Sequence, residues 1–177
     1  LLTMGSGSVR RDGEIVGIAV AVEGWSGYFP IAHEGGGNMD RALVLDWFEE
    51  LLQTTSTKIF HNAMYDVSWI RSLGFYINGG IIDTMIAASL IDENRFSYTL
   101  DSVGKDYIGM RKNEKLLQDA AKDFGVNPKA EMWRLPAPFV GEYAEKDAEM
   151  TLKLWHALQH EISKQDLWDI FNLETNL

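Results

Sequence analysis

Near the C-terminal end, apolar residues recur at helical spacing from Phe139 to Ile162, through Val140, Ala144, Met150, Leu154 and Leu158. A stripe of that length must be buried, so the rest of the chain has to pack along one long helix. Tyr143 and Asp147 are four residues apart and sit one above the other on its surface. Asp147 lies on the stripe itself, between Val140 and Ala144 on one side and Met150 and Leu154 on the other. An ionised carboxylate there costs on the order of several kcal/mol unless a cation or strong donors meet it. The plain alternative is a helix-face aspartate that reaches solvent or pairs with a lysine.

A chain of 177 residues, 46% hydrophobic, suits one domain with a sizeable core. Its apolar run from Ile15 to Val22 is too short to span a bilayer, and Leu1-Leu2-Thr3-Met4-Gly5 lacks a signal-peptide layout. No membrane partner is expected, and the cytoplasm is the default location. The absence of cysteine excludes disulfides and thiolate metal sites, so a metal would sit on oxygen or histidine ligands. A net charge of −10 argues against a protein that coats nucleic acid. It is compatible with an enzyme that binds a polynucleotide locally and holds divalent cations in carboxylates. The chain stops within Asn172-Leu173-Glu174-Thr175-Asn176-Leu177 with no obvious finish, and reads as an excerpt of a longer protein.

Residues 1–13, with Gly5, Gly7, Gly13 and the pair Arg10-Arg11, read as a loop. Glu14 to Val22 reads as a strand, 23–27 as a turn, and Tyr28 to His33 as the returning strand of a hairpin. Gly35-Gly36-Gly37 has neither the Walker lysine nor dinucleotide-fold spacing and reads as a mobile turn. Asn38 or Asp40 caps a helix running to Gln53, with Leu43, Trp47 and Leu51 facing inward. Lys58 to His61 is a short strand that leads directly into a helix from Asn62 to Leu73, where Asn62 and Asp66 are again four apart. Asp83 caps a helix from Met85 to Asp92, Thr99 caps Leu100 to Tyr107, and Asn113 to Phe124 forms another. Pro128, Pro136 and Pro138 mark a loop before the last helix, which breaks near Lys164. There is no internal repeat. The order of elements predicts an α/β domain with a small mixed sheet flanked by helices.

Asn-x-x-x-Asp directly after a strand and Tyr-x-x-x-Asp on a late helix together suggest an oxygen-rich site for Mg²⁺ or Mn²⁺. Two such ions about 4 Å apart suit phosphodiester hydrolysis. Phe60-His61-Asn62-Ala63-Met64-Tyr65-Asp66 resembles the second motif of the DEDD 3′→5′ exonucleases, and Tyr143-Ala144-Glu145-Lys146-Asp147 resembles their third. Tyrosine four before the aspartate marks the tyrosine subtype; the histidine subtype carries its histidine where this chain has Glu142. The segments 83–92 and 100–107 are similar to intervening segments in the proofreading domains of family A DNA polymerases. With 13–19 and 33–40, they look most like bacteriophage members. The resemblance implies a ribonuclease H-like fold over residues 1–172, with 173–177 beginning a junction to a polymerase module of the same parent chain. If the parent is phage-encoded, the location is the host cytoplasm.

The same resemblance implies roles. Asp147 and Asp66 would hold two divalent metal ions, and Tyr143 would orient the attacking water. Asn62 and Tyr65 would contact the 3′-terminal nucleotide of a single-stranded DNA, which would leave as a monophosphate. The family's first motif, Asp-x-Glu, is absent from this chain, and with it the central first strand that would pair with both the Ile15 and Ile59 strands. Its place is expected just upstream of Leu1. Asp12 and Glu14 have the right chemistry but sit at the start of the next strand. His61 and Arg95 are expected to serve packing and solvent. Arg10, Arg11, Arg111, Lys112 and Lys115 are candidates to guide a strand, although scattered basic residues on an acidic domain are usually only solvated. Two other readings stand beside proofreading: an RNA-trimming exonuclease of the RNase D kind, and a non-catalytic domain that binds DNA ends or acts as a scaffold.

Overall fold

Strand β2 (Glu14–Val22) is the valine- and isoleucine-rich run, with Ile15, Val16 and Ile18 buried. It turns back through Glu23-Gly24 into β3 (Trp25–Pro30), Val22 facing Trp25 across the turn. The turn is shorter than the 23–27 expected: its two residues are Glu23 and Gly24, the latter at φ 77°, a left-handed conformation that glycine takes without strain. β3 ends at Pro30, not His33: the N–H groups of Ile31 and Ala32 both donate to the Val16 carbonyl, at 2.8 and 3.1 Å, and end the regular ladder.

The structure, a computed structural model, describes residues 1–4 and 13–175. Within it β1 (Leu2–Met4) lies antiparallel along the other edge of β2. The loop expected for residues 1–13 is therefore corrected at its start, where Leu1 and Leu2 pack on apolar clusters that composition could not foresee. Arg10, Arg11 and Asp12 lie outside the described residues. The gap expected between the Ile15 and Ile59 strands is filled on one side only. β1 covers β2, while β4 (Lys58–Phe60) pairs in parallel with β5 (Ile81–Asp83) as a separate sheet.

Helix α1 (Arg41–Gln53) is capped by Asp40, whose side chain accepts from the Leu43 N–H. Its buried residues are Val44, Phe48 and Leu52, with Trp47 and Leu51 packed beside them as expected, while Leu43 is exposed. β4 leads into α2 (Ala63–Ser72), and β5 into α3 (Thr84–Ile91). Then come α4 (Leu100–Ile108) and α5 (Lys115–Phe124), followed by a short 3₁₀ turn, Met132–Arg134. The long helix α6 (Pro138–Lys164) buries Val140, Ala144, Met150, Leu154, Leu158 and Ile162, which is the stripe read from sequence. Pro138 stands at its first turn, where a missing N–H costs nothing. It ends at Gln165, and α7 (Trp168–Thr175) folds back to place Phe171 against Trp155, ring centroids 5.4 Å apart.

α6 joins the parts. One end packs on β2 and β3, and its flanks meet α3, α4 and α5. The turn at Gly35-Gly36-Gly37 is pinned, not mobile: Glu34 N–H donates to Trp133 O at 2.9 Å and Ala137 N–H to Gly36 O at 3.0 Å. Among the described residues, no helix is long and apolar enough to cross a membrane.

Candidate active site

The side chains singled out in sequence meet in one cleft of about 1070 Å³ between the sheet edge, the start of α2 and the first half of α6. Asn62, Tyr65, Asp66, Tyr143 and Asp147 all line it, together with Lys112. The chain delivers them from two helix N-terminal halves and one loop, so the site depends on how those elements are anchored.

Asp83 anchors the first. It is buried at the end of β5, and its carboxylate caps α3 by accepting from Met85 N–H at 2.9 Å. It also accepts from the N–H groups of Asn62 and Ala63, at 3.0 and 2.7 Å, and so holds the start of α2. The N-cap expected from sequence thus serves two helices at once. Asn62 itself has φ 67°, a left-handed conformation outside the helix. It does not share a helix face with Asp66 as its spacing suggested; it lies at the exposed lip of the cleft. Asp66, in the first turn of α2, is buried, and its Oδ1 accepts from the Leu1 amino group at 2.6 Å. Tyr65 is partly exposed, packs edge-on to Trp69 and shares a hydrogen bond with the Thr3 hydroxyl.

Tyr143 and Asp147 stand one turn apart on α6, and Lys112 bridges them. Its ammonium donates to the Tyr143 oxygen and to Asp147 Oδ2, each at 3.0 Å. It lies 2.9 Å from Asp147 Oδ1, yet that buried oxygen has no hydrogen-bond partner. Burial raises the Asp147 pKa above the ordinary carboxylate value, with Lys112 opposing the shift. Burial also raises the Tyr143 pKa, helped by the Asp147 charge, so the phenol keeps its proton at neutral pH. The ammonium of Lys112 is penalised by burial, but Asp147 and Tyr143 outweigh that and raise its pKa. The helix-face aspartate is therefore met by the cation its position required.

Sequence reasoning named Lys112 only among several basic residues that could guide a strand, since nothing local separates it from its exposed neighbours Arg111 and Lys115. The only available signal was the demand of Asp147 for a cation. Arg95 and His61, expected to serve packing and solvent, do have structural partners. Arg95 donates to Asp106 at 2.7 Å and lies over the Tyr107 ring. His61 bonds Thr84 Oγ1 and Tyr98 O, at 2.8 and 2.7 Å. Glu14 pairs with Arg41 at 2.9 Å and is spent outside the cleft.

The domain thus presents two carboxylates, from two helices, to one open cleft. In comparison with known proteins, a family model described as 3′-5′ exonuclease matches residues 3–163. The chain belongs to that family, the exonuclease domain of family A DNA polymerases. It is 38% identical, over its whole length, to a DNA-directed DNA polymerase of Pseudomonas phage M6. It is 30% identical over 94% of its length to DNA polymerase DpoZ of Salmonella phage PMBT28. With DNA polymerase I of Pseudomonas aeruginosa it shares 28% identity over 84% of its length. It spans 27% of each of those phage proteins and 16% of the bacterial one. Among solved structures, the polymerase domain of Pol1 from M. smegmatis, in complex with DNA primer-template and dNTP, superposes with a TM-score of 0.62 at 18% identity. That superposition covers 93% of this chain and 24% of the other.

Proposed function

We propose that this chain is the proofreading domain of a longer DNA polymerase and removes nucleotides from the 3′ end of single-stranded DNA as monophosphates. The observation that carries the reading is the convergence of Asp66, Tyr143 and Asp147 on one cleft wide enough for a nucleotide. Asn62 and Tyr65 at its lip are the groups to contact the terminal nucleotide, the first by hydrogen bonds and the second through its ring. Tyr143, a protonated phenol one turn from Asp147, orients the attacking water through its hydroxyl.

The donor set fits hard divalent cations in kind: two acceptor-only carboxylates, one with a buried oxygen that lacks a hydrogen-bond partner. Asp66 and Asp147 are the residues to hold them. Bound divalent cations supply the Lewis acidity that makes water a nucleophile at neutral pH and steadies the departing oxygen. Among the described residues, no three carboxylate or imidazole side chains gather as a metal cluster. The family's first motif, Asp-x-Glu, would supply the remaining carboxylates. Residues 1–172 then form the exonuclease domain, and 173–177 begin the connection to the polymerase module.

The test is a 5′-labelled single-stranded DNA incubated with the parent protein and Mg²⁺ or Mn²⁺. A ladder shortening from the 3′ end, with monophosphates released, is expected. Equal or faster trimming of RNA would move the assignment to an RNase D-like enzyme, and Mn²⁺-independent DNA binding without cleavage to a scaffold.

A further inference from the structure

Lys112 sits on the irregular segment between α4 and α5, which neither sequence motif includes. Its backbone is fixed: the Lys112 N–H donates to Asp101 Oδ1 of α4 at 3.1 Å. Its side chain reaches into the cleft, is only 15% exposed, and ends over the Tyr143 ring, 4.8 Å from the centroid. A lysine extended, anchored and half-desolvated in this way loses rotamer freedom, a cost that a purely solvated lysine avoids.

The chemistry of the contact is directional. An ammonium has three protons and no lone pair, so in the Lys112–Tyr143 bond the lysine donates and the phenol oxygen accepts. The phenol's own proton stays free for another acceptor. Asp147 Oδ2 takes a second ammonium proton, which ties the carboxylate and the phenol to one charge. Asp147 Oδ1 makes no hydrogen bond of its own, although the same ammonium lies 2.9 Å from it.

We propose that Lys112 is a positioning residue of the hydrolytic site, holding the Tyr143 hydroxyl and the Asp147 carboxylate in a single arrangement and directing the phenol proton toward the attacking water or the scissile phosphate. The proposal rests on the hydrolytic reading given above. It also places a fixed positive charge beside a phosphodiester that gains negative charge as it reacts. Arg111 and Lys115, both exposed, have no comparable contact with the two residues.

The test uses the full parent protein and the labelled single strand, with four substitutions. Lys112→Met keeps the apolar stem and removes the charge; it is expected to lower kcat about 10- to 100-fold with KM changed less than about threefold. Lys112→Arg restores part of the rate, because the charge and donors return. Lys112→Met combined with Tyr143→Phe is no slower than the worse single variant, since the two residues act as a unit. Melting temperatures stay within about 2 °C of wild type, which a role confined to folding would not allow. Wild-type kcat in Lys112→Met, while Asp147→Ala is silent, overturns the role of Lys112 and leaves the hydrolytic reading intact. A rate loss in Lys112→Met that tracks a fall in melting temperature, with Lys112→Arg no better, also overturns it. Undiminished trimming by Asp147→Ala sinks the hydrolytic reading itself.

Discussion

Asp147 could be singled out from sequence because its spacing put a charge where only apolar side chains belong. Periodicity reveals such a conflict but not its resolution, because the cation that resolves it comes from a loop with no periodicity of its own. The place of Lys112 was therefore illegible, whereas that of Tyr143, one turn from Asp147, was not. Removing only the phenol oxygen isolates what that turn contributes: Tyr143→Phe is expected to slow 3′ trimming about 10- to 100-fold while melting stays near wild type, measured by single-turnover kinetics and calorimetry. A second residue, His33, makes a pH prediction. It is buried, its Nδ1–H donates to Leu135 O at 2.8 Å, and its Nε2 accepts from the Tyr28 hydroxyl at 2.7 Å. Burial lowers its pKa below 6.5, the Leu135 bond acting against the shift. The unfolded chain then binds the proton more readily, so the contribution to stability is complete above pH 6.5 and is lost as the pH falls below it. Melting temperature should drop from about pH 7.5 to about pH 5.5, and drop less in His33→Gln. His61, also lowered by burial, adds to the wild-type slope in the same direction.

At the scale of elements, the sequence was most legible where one signal spans many residues. The α6 stripe, the β2 run, and the caps at Asp40, Asp83 and Thr99 all stand where the chain said they would. It was least legible where three or fewer residues decide the outcome, as at β1 and in the two-residue hairpin turn. Tertiary contact settles such cases, and a local composition does not contain it. Asp83 shows how a single capping residue gains weight from its surroundings. Asp83→Ala would strand the N–H groups of Asn62, Ala63 and Met85, and is expected to cost about 2–4 kcal/mol in denaturant unfolding. Asp83→Asn should recover part of that. The turn at Gly35 carries a comparable constraint from close approach: a Cβ there would lie 2.4 Å from the Pro136 nitrogen. Gly35→Ala must move the backbone that leads into α6, so a loss of stability of about 1–3 kcal/mol is expected by the same measurement.

For the molecule as a whole, α6 is the most widely shared member, packing on β2, β3, β4, α3, α4 and α5. Two apolar clusters include its residues, one with α3, α4 and α7 and one with α5, while a third lies between β2, α1 and α2. The site lies where the helix passes from sheet to helices, so its residues come from both sides of the core. This explains why the chain announced the fold class and the two motifs but not the split of its strands into two sheets. β1 pairs with β2, and β4 pairs with β5 in a sheet of its own. The most direct test compares the parent protein with its Asp147→Ala variant on a 5′-labelled single strand, with polymerisation measured in parallel. The account predicts that 3′ trimming is abolished, by at least about a thousandfold, while polymerisation is retained. Trimming at the wild-type rate in that variant would contradict it.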